Sequence, residues 1–491
     1  MAILGPDGQP IRSTLSNAAD VPEEVRQAVE QAQEFAAQAK REAAAQGQPE
    51  LALQGVQQGL QQMVVAFQQD VSSDFVLNAT IDLLREVATI RGDAQADELQ
   101  LFEQLRDNRN EVEPYYAIGS RFLQMGQTFI ARPFMAKAKE LVGNEPSQLG
   151  QAVDVELGQI LMELGGYAEA SSLFQNLNDV YGGLPIELIL KMTECYALQR
   201  QLDEAEALYS VVEDEAVANN PALTDWKDEL GDLIARVHDF EEEEEMGLQQ
   251  WHYVQTRGML LETNPDENMP GERFIFFTPS QEDVAYIISL TAGILDIKGY
   301  APNKILWLGD SSEVLARLFA QWWEVKEEDI REYRSGDNTD DEESLALLVM
   351  AHSYDVFSLP NEQEIVELFP AKAGMVTFAL DVRWTERQPI VPDIAGYLSQ
   401  QCFLPWEAKI DMREDGFDVT PITEAPDAKA LALELAALFP SEAECDEFAK
   451  ETLEAFNGCT DLILDHRDGD LNRKSMVTHS PLPGPRFGIP T

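Results

Sequence analysis

"GQILMELGGYAEASSLF", from Gly158 to Phe174, sets a pattern that the chain repeats. Its spaced positions are Gly158, Leu161, Gly165, Tyr167, Ala170 and Phe174. The same order of sizes returns at Thr193, Tyr196, Arg200, Leu202, Ala205 and Tyr209, a shift of 35 residues from 158 to 193. It is also found 39 residues upstream of 158, at Gly119, Phe122, Gly126, Thr128, Ala131 and Met135. A small residue, a turn, a second small residue and a large apolar one, at a period near about 34, mark helical hairpins that stack.

Small side chains at Gly119 and Gly158 on the first helix, and at Ala131, Ala170 and Ala205 on the second, let the helices of a hairpin approach closely. Phe122, Leu161 and Tyr196 fill the interface from the first helix, while Phe174 and Tyr209 reach toward the next hairpin. The words "GGYAEASSLF" (165–174) and "RQLDEAEALY" (200–209) bring turn and second helix into register. On these residues the stretch from Pro114 to Ala218 resembles the tetratricopeptide repeat family. Its departures are Thr193, where that family carries Gly or Ala, and Gly182 and Val217, where a closing Pro is commonest. The resemblance implies an α-solenoid whose groove holds a partner's peptide or helix. By position in the repeat, the groove would be lined by Tyr115, Arg121, Asp154, Gln159, Lys191 and Glu194.

A chain of 491 residues is too long for one core, so two or three domains are expected. Its 44% hydrophobic and 8% aromatic content is that of a globular protein. Against 35 Lys and Arg stand 88 Asp and Glu, a net charge of −53. Such a surface repels phosphate backbones and anionic membranes, and suits a basic protein partner or a salty cytoplasm. The cysteines, Cys195, Cys402, Cys445 and Cys459, form no CxxC pair and read as reduced, mostly buried thiols, with neither a disulfide frame nor a metal site. The opening "MAILGPDGQPIRSTLS" lacks a basic region followed by an apolar core. No apolar run reaches membrane-spanning length, so the expectation is a cytoplasmic protein without membrane insertion.

The fold class expected is α + α/β: an N-terminal solenoid resembling tetratricopeptide repeats, then an α/β domain with a mostly parallel sheet. A flexible arm spans 1–20, and helices over 21–110 cap or extend the array. The repeats and a terminal helix span 111–262, the α/β domain 270–460, and a Pro-rich tail 461–491. Helices are read at Pro22–Ala45, Leu51–Phe67, Phe75–Ile90, Ala94–Leu105 and Asp225–His238. The first has only a thin apolar stripe, Val25, Ala28, Val29, Ala32 and Phe35, and is placed on the bundle surface. The run Glu241 to Glu245 is either a solvated helix face or a contact for a basic partner. "ETNPDENMPGER" (262–273) marks the domain boundary.

Beyond Arg273, strands at 273–278, 304–309 and 375–380 alternate with helices at 281–297, 312–323 and 362–369. "SLALLVMA" (344–351) is open between strand and helix, and helices at Ala428–Leu438 and Glu442–Phe456 close the domain. This alternation argues for parallel strands with crossover helices. In the tail, the spaced prolines of "SPLPGPRFGIPT" are either an extended surface segment or a polyproline ligand.

Ligands of an open α/β sheet bind beyond the carboxyl ends of its strands. Those ends are Thr278 to Ser280, Gly309 to Ser312, His352 to Asp355 and Asp381 to Trp384. Asp310, Ser311, His352, Asp355 and Asp381 are the candidate catalytic or ligand-binding residues. Ser311 or Ser312 either offers its hydroxyl to an anion or caps the helix, and Asp310 repels phosphate unless a metal intervenes. His352 either joins an acid/base group or is a histidine bonded to backbone at a strand end. Trp322, Trp323, Trp384 and "LPWE" (404–407) read as core and interface aromatics. Neither GxGxxG, GxxxxGK[ST] nor GxSxG is found, so no cofactor is expected. "DHRDGDLN" (465–472) and "SGDNTDDEES" (335–344) do not fit the EF-hand spacing. The functional expectation is a scaffold or adaptor that binds a protein segment in the groove of the array. The alternative is a ligand-binding or enzymatic α/β domain that the repeats bring to its target.

Overall fold

Apolar residues at a spacing of three and four make the first part of the chain helical, and β-branched runs make the later part a sheet. The architecture is therefore α + α/β. The computed structural model describes residues 21–46, 49–91, 97–143, 146–266, 271–334, 345–371, 374–384, 389–413, 416–465, 471–473 and 481–482. The arm at 1–20, the acidic stretch at 335–344, most of the turn at 465–472 and about two thirds of the Pro-rich tail lie outside them. Residues up to Leu188 form one compact unit and those from Ile189 a second.

In the first unit, α1 (Glu23–Gln46), α2 (Pro49–Gln69), α3 (Asp74–Arg91), α4 (Asp97–Asp107), α5 (Val112–Gln124), α6 (Thr128–Val142), α7 (Gln148–Glu163) and α8 (Tyr167–Tyr181) follow one another. Each packs on the next. As expected, α1 lies on the surface of the bundle with most of its residues exposed, Phe35 among them at 43%, while the rest of its thin stripe faces inward. Val25, Ala28, Val29 and Ala32 are buried, because a stripe of small residues is a face for close approach, and Gly55 and Gly59 of α2 face Ala39 and Ala32. Phe67, Phe102, Phe122 and Phe134 join α2, α4, α5 and α6, with ring centroids 5.1 Å apart for Phe67 and Phe134 and 5.5 Å for Phe102 and Phe134. Ser147 caps α7 by accepting the Gly150 N–H at 2.9 Å. A Cβ on Gly158 would stand 2.3 Å from the Phe174 ring, which is the close approach that the repeat pattern implies.

The second unit opens within α9 (Ile186–Leu198) and continues through α10 (Leu202–Val211), α11 (Asp214–Val217), α12 (Pro221–His238) and α13 (Leu248–Thr256). Glu241 to Glu245 is a turn and not a helix face. Arg200 wraps it, donating to the carbonyls of Phe240 at 2.8 Å and Glu243 at 2.6 Å. The expected boundary at 262–273 falls inside this unit. The reason is physical: Arg236 of α12 donates to the Val254 carbonyl at 2.8 Å and to Asp461 at 3.2 Å, and the strand β1 (Met259–Leu260) enters the sheet before that segment begins.

The rest of the unit comprises β2 (Phe274–Phe277), α14 (Gln281–Ile297), β3 (Lys304–Leu308), α15 (Ser312–Trp322), β4 (Ile330–Glu332) and β5 (Ala346–His352). After β5 come a 3-10 helix (Ser353–Ser358), α16 (Glu362–Glu367), β6 (Met375–Arg383), β7 (Ile394–Cys402), the hairpin β8 (Ala408–Arg413) and β9 (Gly416–Pro421), α17 (Ala428–Ala436) and α18 (Glu442–Ala455). "SLALLVMA" thus resolves as strand. The sheet order is β1-β7-β6-β5-β3-β4, with β2 also on β7, and all these pairings are parallel. Ser280 and Asp283 box the start of α14 at 3.1 and 2.8 Å. Phe319 of α15 meets Phe378 of β6 edge to face at 5.1 Å, on one side of the sheet. Leu306, Leu348, Met350 and Ala379, of opposite alternation, pack with Val356, Ile365 and Leu368 on the other. Asp393, at the entrance to β7, accepts from the Thr377 N–H at 2.7 Å, the Thr377 hydroxyl at 2.6 Å and Arg473 at 3.0 Å.

Gly158→Ala is expected to destabilise the first unit by about 1–3 kcal/mol despite its gain in helix propensity. Gly119→Ala, whose new methyl would meet the end of the flexible Met135 side chain at 3.0 Å and backbone atoms of Met135 and Ala131 at 3.3 and 3.4 Å, is expected to cost less than Gly158→Ala. Urea denaturation of both variants checks the contrast. His252 on α13 is buried, its Nε2 has no hydrogen-bond partner among the described residues, and burial holds its imidazole down at about 4. A folded value below the unfolded one means that the unfolded chain takes up a proton the native state refuses. Stability should therefore fall by roughly 2–3 kcal/mol as pH drops from about 6.5 to about 4. His252→Leu should flatten that slope in thermal melts.

Candidate functional site

Parallel strands bring all their carboxyl ends to one edge of the sheet, so segments distant in sequence meet there. The order places β3, β5, β6 and β7 side by side. The chain leaves β3 for β4 at the sheet's edge and then returns past β3 to β5, making a switch point between β3 and β5, where open α/β sheets hold ligands.

His352, 3% exposed, is the centre. Its Nδ1 lies 3.4 Å from Asp381 Oδ2, and its Nε2 lies 3.0 and 3.1 Å from the two oxygens of Glu407. The Tyr354 ring stacks on the imidazole at 4.8 Å, and the Arg383 guanidinium lies 4.4 Å from the Tyr354 ring centroid. Asp355 accepts from Ser312 Oγ at 3.1 Å and from the His352 N–H at 3.0 Å, while Ser312 Oγ accepts the Ala351 N–H at 2.7 Å. These bonds bridge the switch point. Gly309 makes room for them: its φ is +82°, and a Cβ there would lie 2.6 Å from the Asp355 carboxyl carbon. Glu407 also accepts the Leu404 N–H at 2.8 Å, which turns the chain back after β7.

Burial alone would pull the His352 imidazole down, but its hydrogen bonds to Asp381 and Glu407, with the charge of both, push it up to about 10. Burial raises Glu407, yet the bond to His352, the imidazolium charge, the Ser311 hydroxyl and the Leu404 N–H hold it below the usual range. Burial raises Asp355. Burial, reinforced by the charges of Asp381 and Glu407, raises the Cys402 thiol well above its ordinary value. Cys402 is thus not a free nucleophile by itself.

Of the residues expected here, His352, Asp355 and Asp381 come together. Asp310 is exposed and stands outside the cluster. Ser311 makes no side-chain cap bond, but its hydroxyl bonds Glu407 and its carbonyl accepts from Trp406 at 3.2 Å, so it joins the cluster beside Ser312, whose buried hydroxyl meets Asp355. Trp322 and Trp323 both donate their indole N–H to Asp296, each at 2.8 Å. Glu407 and Cys402 escaped sequence reasoning because β7, with Gly396 and the polar run Ser399 to Gln401, reads poorly as a strand. Recognising β7 would have exposed its carboxyl end as a fifth strand end.

In the helical unit, Tyr115 is fully buried at 0%, so it cannot line a groove, and its neighbour Tyr116 does. A surface cavity of about 400 Å³ lies along α4 and α5, lined by Gln100, Gln104, Tyr116, Ser120, Arg121 and Gln124. Arg121 donates to Glu98 at 3.1 and 2.9 Å, and Tyr116 donates to Glu156 at 2.7 Å. Asp154, 8% exposed, pairs with Lys139 at 2.8 Å and lines a second cavity of about 310 Å³. Gln159 is half-buried and donates to Glu163 at 3.3 Å. Lys191 and Glu194 are half-buried on α9, in the second unit.

Among the described residues, no helix is long and apolar enough to cross a membrane. Comparison with protein-family models and with curated proteins finds no match to this chain.

Glu407→Gln keeps the shape of the side chain and removes its charge. It is expected to cost the second unit about 3 kcal/mol, because the buried imidazole loses one of its two carboxylates. A cycle of Glu407→Gln and His352→Gln in chemical denaturation measures how much of that loss is mutual.

Proposed function

We propose that this chain is a protein-binding scaffold that holds an extended segment of a partner along α4 and α5. The observation that carries the reading is the lining of the groove there. Apart from Asp97 and from Arg121, which Glu98 holds, its polar lining is uncharged: Gln100, Gln104, Tyr116, Ser120 and Gln124, and a carboxamide matches both the N–H and the C=O of a peptide backbone. The recurring small residues that resemble tetratricopeptide repeats support it, since such arrays hold peptides. The net charge of −53 favours a protein partner with a basic segment over a nucleic acid, in a cytoplasmic setting. The charge acts mostly on encounter and the groove on residence.

A second reading is favoured by the cluster around His352. Buried charged groups gathered at the switch point of a parallel sheet suit a ligand-binding or enzymatic domain, which the helices would bring to its target.

The test of the first reading is selection from a displayed peptide library on the full chain. Peptides so selected are expected to lose at least tenfold affinity for Ser120→Trp, which fills the groove, with the fold verified by circular dichroism. Salt raised from about 50 to about 500 mM is expected to slow association more than it speeds release. Peptides that bind Ser120→Trp as well as they bind the natural chain would place the contact elsewhere.

A further inference from the structure

The Cys402 sulfur, a carboxylate oxygen of Asp381 and a ring nitrogen of His352 lie within 4.8 Å of one another. All three residues are buried. Asp381 is 1% exposed, and its Oδ1 has no hydrogen-bond partner among the described residues. A carboxylate oxygen sealed from water and left unpaired is costly, and a cation removes that cost. The surroundings point the same way. Asp381, fully buried, and Glu407 and Asp355, partly buried, bring three carboxylates to one imidazole and one guanidinium, a surplus of negative charge.

We propose that His352, Asp381 and Cys402 bind a zinc ion. The ring has two nitrogens with distinct neighbours: Nδ1 faces Asp381 and becomes the ligand, while Nε2–H donates to Glu407 at 3.0 Å. A carboxylate behind a metal-bound imidazole fixes its tautomer and orientation, and Glu407 is a positioning residue of that kind. Tyr354, stacked on the ring, holds its plane. Ligand atoms about 2.0–2.3 Å from a tetrahedral ion stand roughly 3.4–3.8 Å apart, so the three side chains need to close by about an ångström. One sulfur, one nitrogen and one oxygen donor select zinc over magnesium or calcium, which take oxygen alone. Three protein donors leave a fourth position for water or a ligand, as in zinc sites that do chemistry. The ligands come from the ends of three strands, β5, β6 and β7, which is why no short motif announces them. The zinc site deepens the second reading of the sheet unit and is independent of the groove on α4 and α5.

Full-length protein made in zinc-supplemented medium and then buffer-exchanged should hold one zinc per chain by elemental mass spectrometry. Replacing zinc with cobalt should give a thiolate-to-cobalt charge-transfer band in the near ultraviolet. Cys402→Ser, a nearly isosteric change, should remove the band, and Cys445→Ser, whose thiol is elsewhere, should leave it. Asp381→Asn should weaken zinc retention at least tenfold. A natural chain with neither zinc nor a cobalt band overturns the proposal before any variant is made, and so does a band that survives in Cys402→Ser. If native mass spectrometry finds an organic ligand on the metal-free sheet unit, the second reading stands while the zinc site falls.

Discussion

Asp393 and Arg473 are both sealed from water, and the geometry of the sheet unit depends on their pairing. The guanidinium donates to Asp393 at 3.0 Å and also to the carbonyls of Pro370 at 2.6 Å and Met375 at 2.9 Å, so its charge and its N–H groups are satisfied. A buried ion pair repays its desolvation only when hydrogen bonds complete it, as they do here. Asp393 holds both the N–H and the hydroxyl of Thr377 on β6 just before β7 begins, which pins the register of the two strands. A slip by one residue would turn every side chain of β7 to the other face. Cys402 and Glu407 meet His352 only because that register holds, and β7 also carries β1 and β2 on its other side.

The helical unit solves a different problem. With no sheet to anchor them, its helices gain stability from how closely they approach, and the small residues decide that distance. Gly158 lies under the Phe174 ring and Gly119 against Met135, so the same position in two hairpins meets one rigid partner and one adaptable one. The aromatic group of Phe67, Phe102, Phe122 and Phe134 ties four helices together where the repeat is least regular. Close packing on the inner side leaves the polar side chains of α4 and α5 outside, and a groove follows from geometry before any partner is considered.

Much of the fold was legible in the sequence where one force dominates. The helix Gln281–Ile297 shows its capping pair and its apolar run, and both its limits are read correctly. Short apolar strands such as "KILWL", with Ile305 and Trp307, are equally plain. What escaped is set by tertiary contact. β7 contains Gly396 because the Leu380 carbonyl and Ile287 press on it, so its composition reflects its neighbours more than strand propensity. The two-residue strand β1 has no local signature at all. At the candidate site, His352, Asp355 and Asp381 are legible as strand ends, and so are the two serines after Gly309, but which hydroxyl meets Asp355 and which meets Glu407 depends on dihedral angles that a turn read from sequence does not carry. Tyr115 and Tyr116 differ in the same way: one step along a helix turns a side chain by about 100°, from groove to core.

The charge of the chain has a structural side that its net value conceals. Many of its basic residues are engaged within the units they belong to. Arg236 and Arg257 both reach Asp461 at 3.2 Å, Arg317 spans Glu313 and Glu327 at 2.8 and 2.7 Å, and Arg200 holds a turn by its carbonyls. These side chains are spent on closing the fold, so the acids that remain on the surface face solvent with few cations beside them. The field felt by an approaching molecule is therefore more one-sided than a mixture of 35 basic and 88 acidic residues suggests. A field of that kind repels anions and draws cations. The cluster around His352 lies mostly away from solvent, where screening is weak, so the charges nearest to it, those of Asp381, Glu407 and Arg383, weigh most in setting its chemistry.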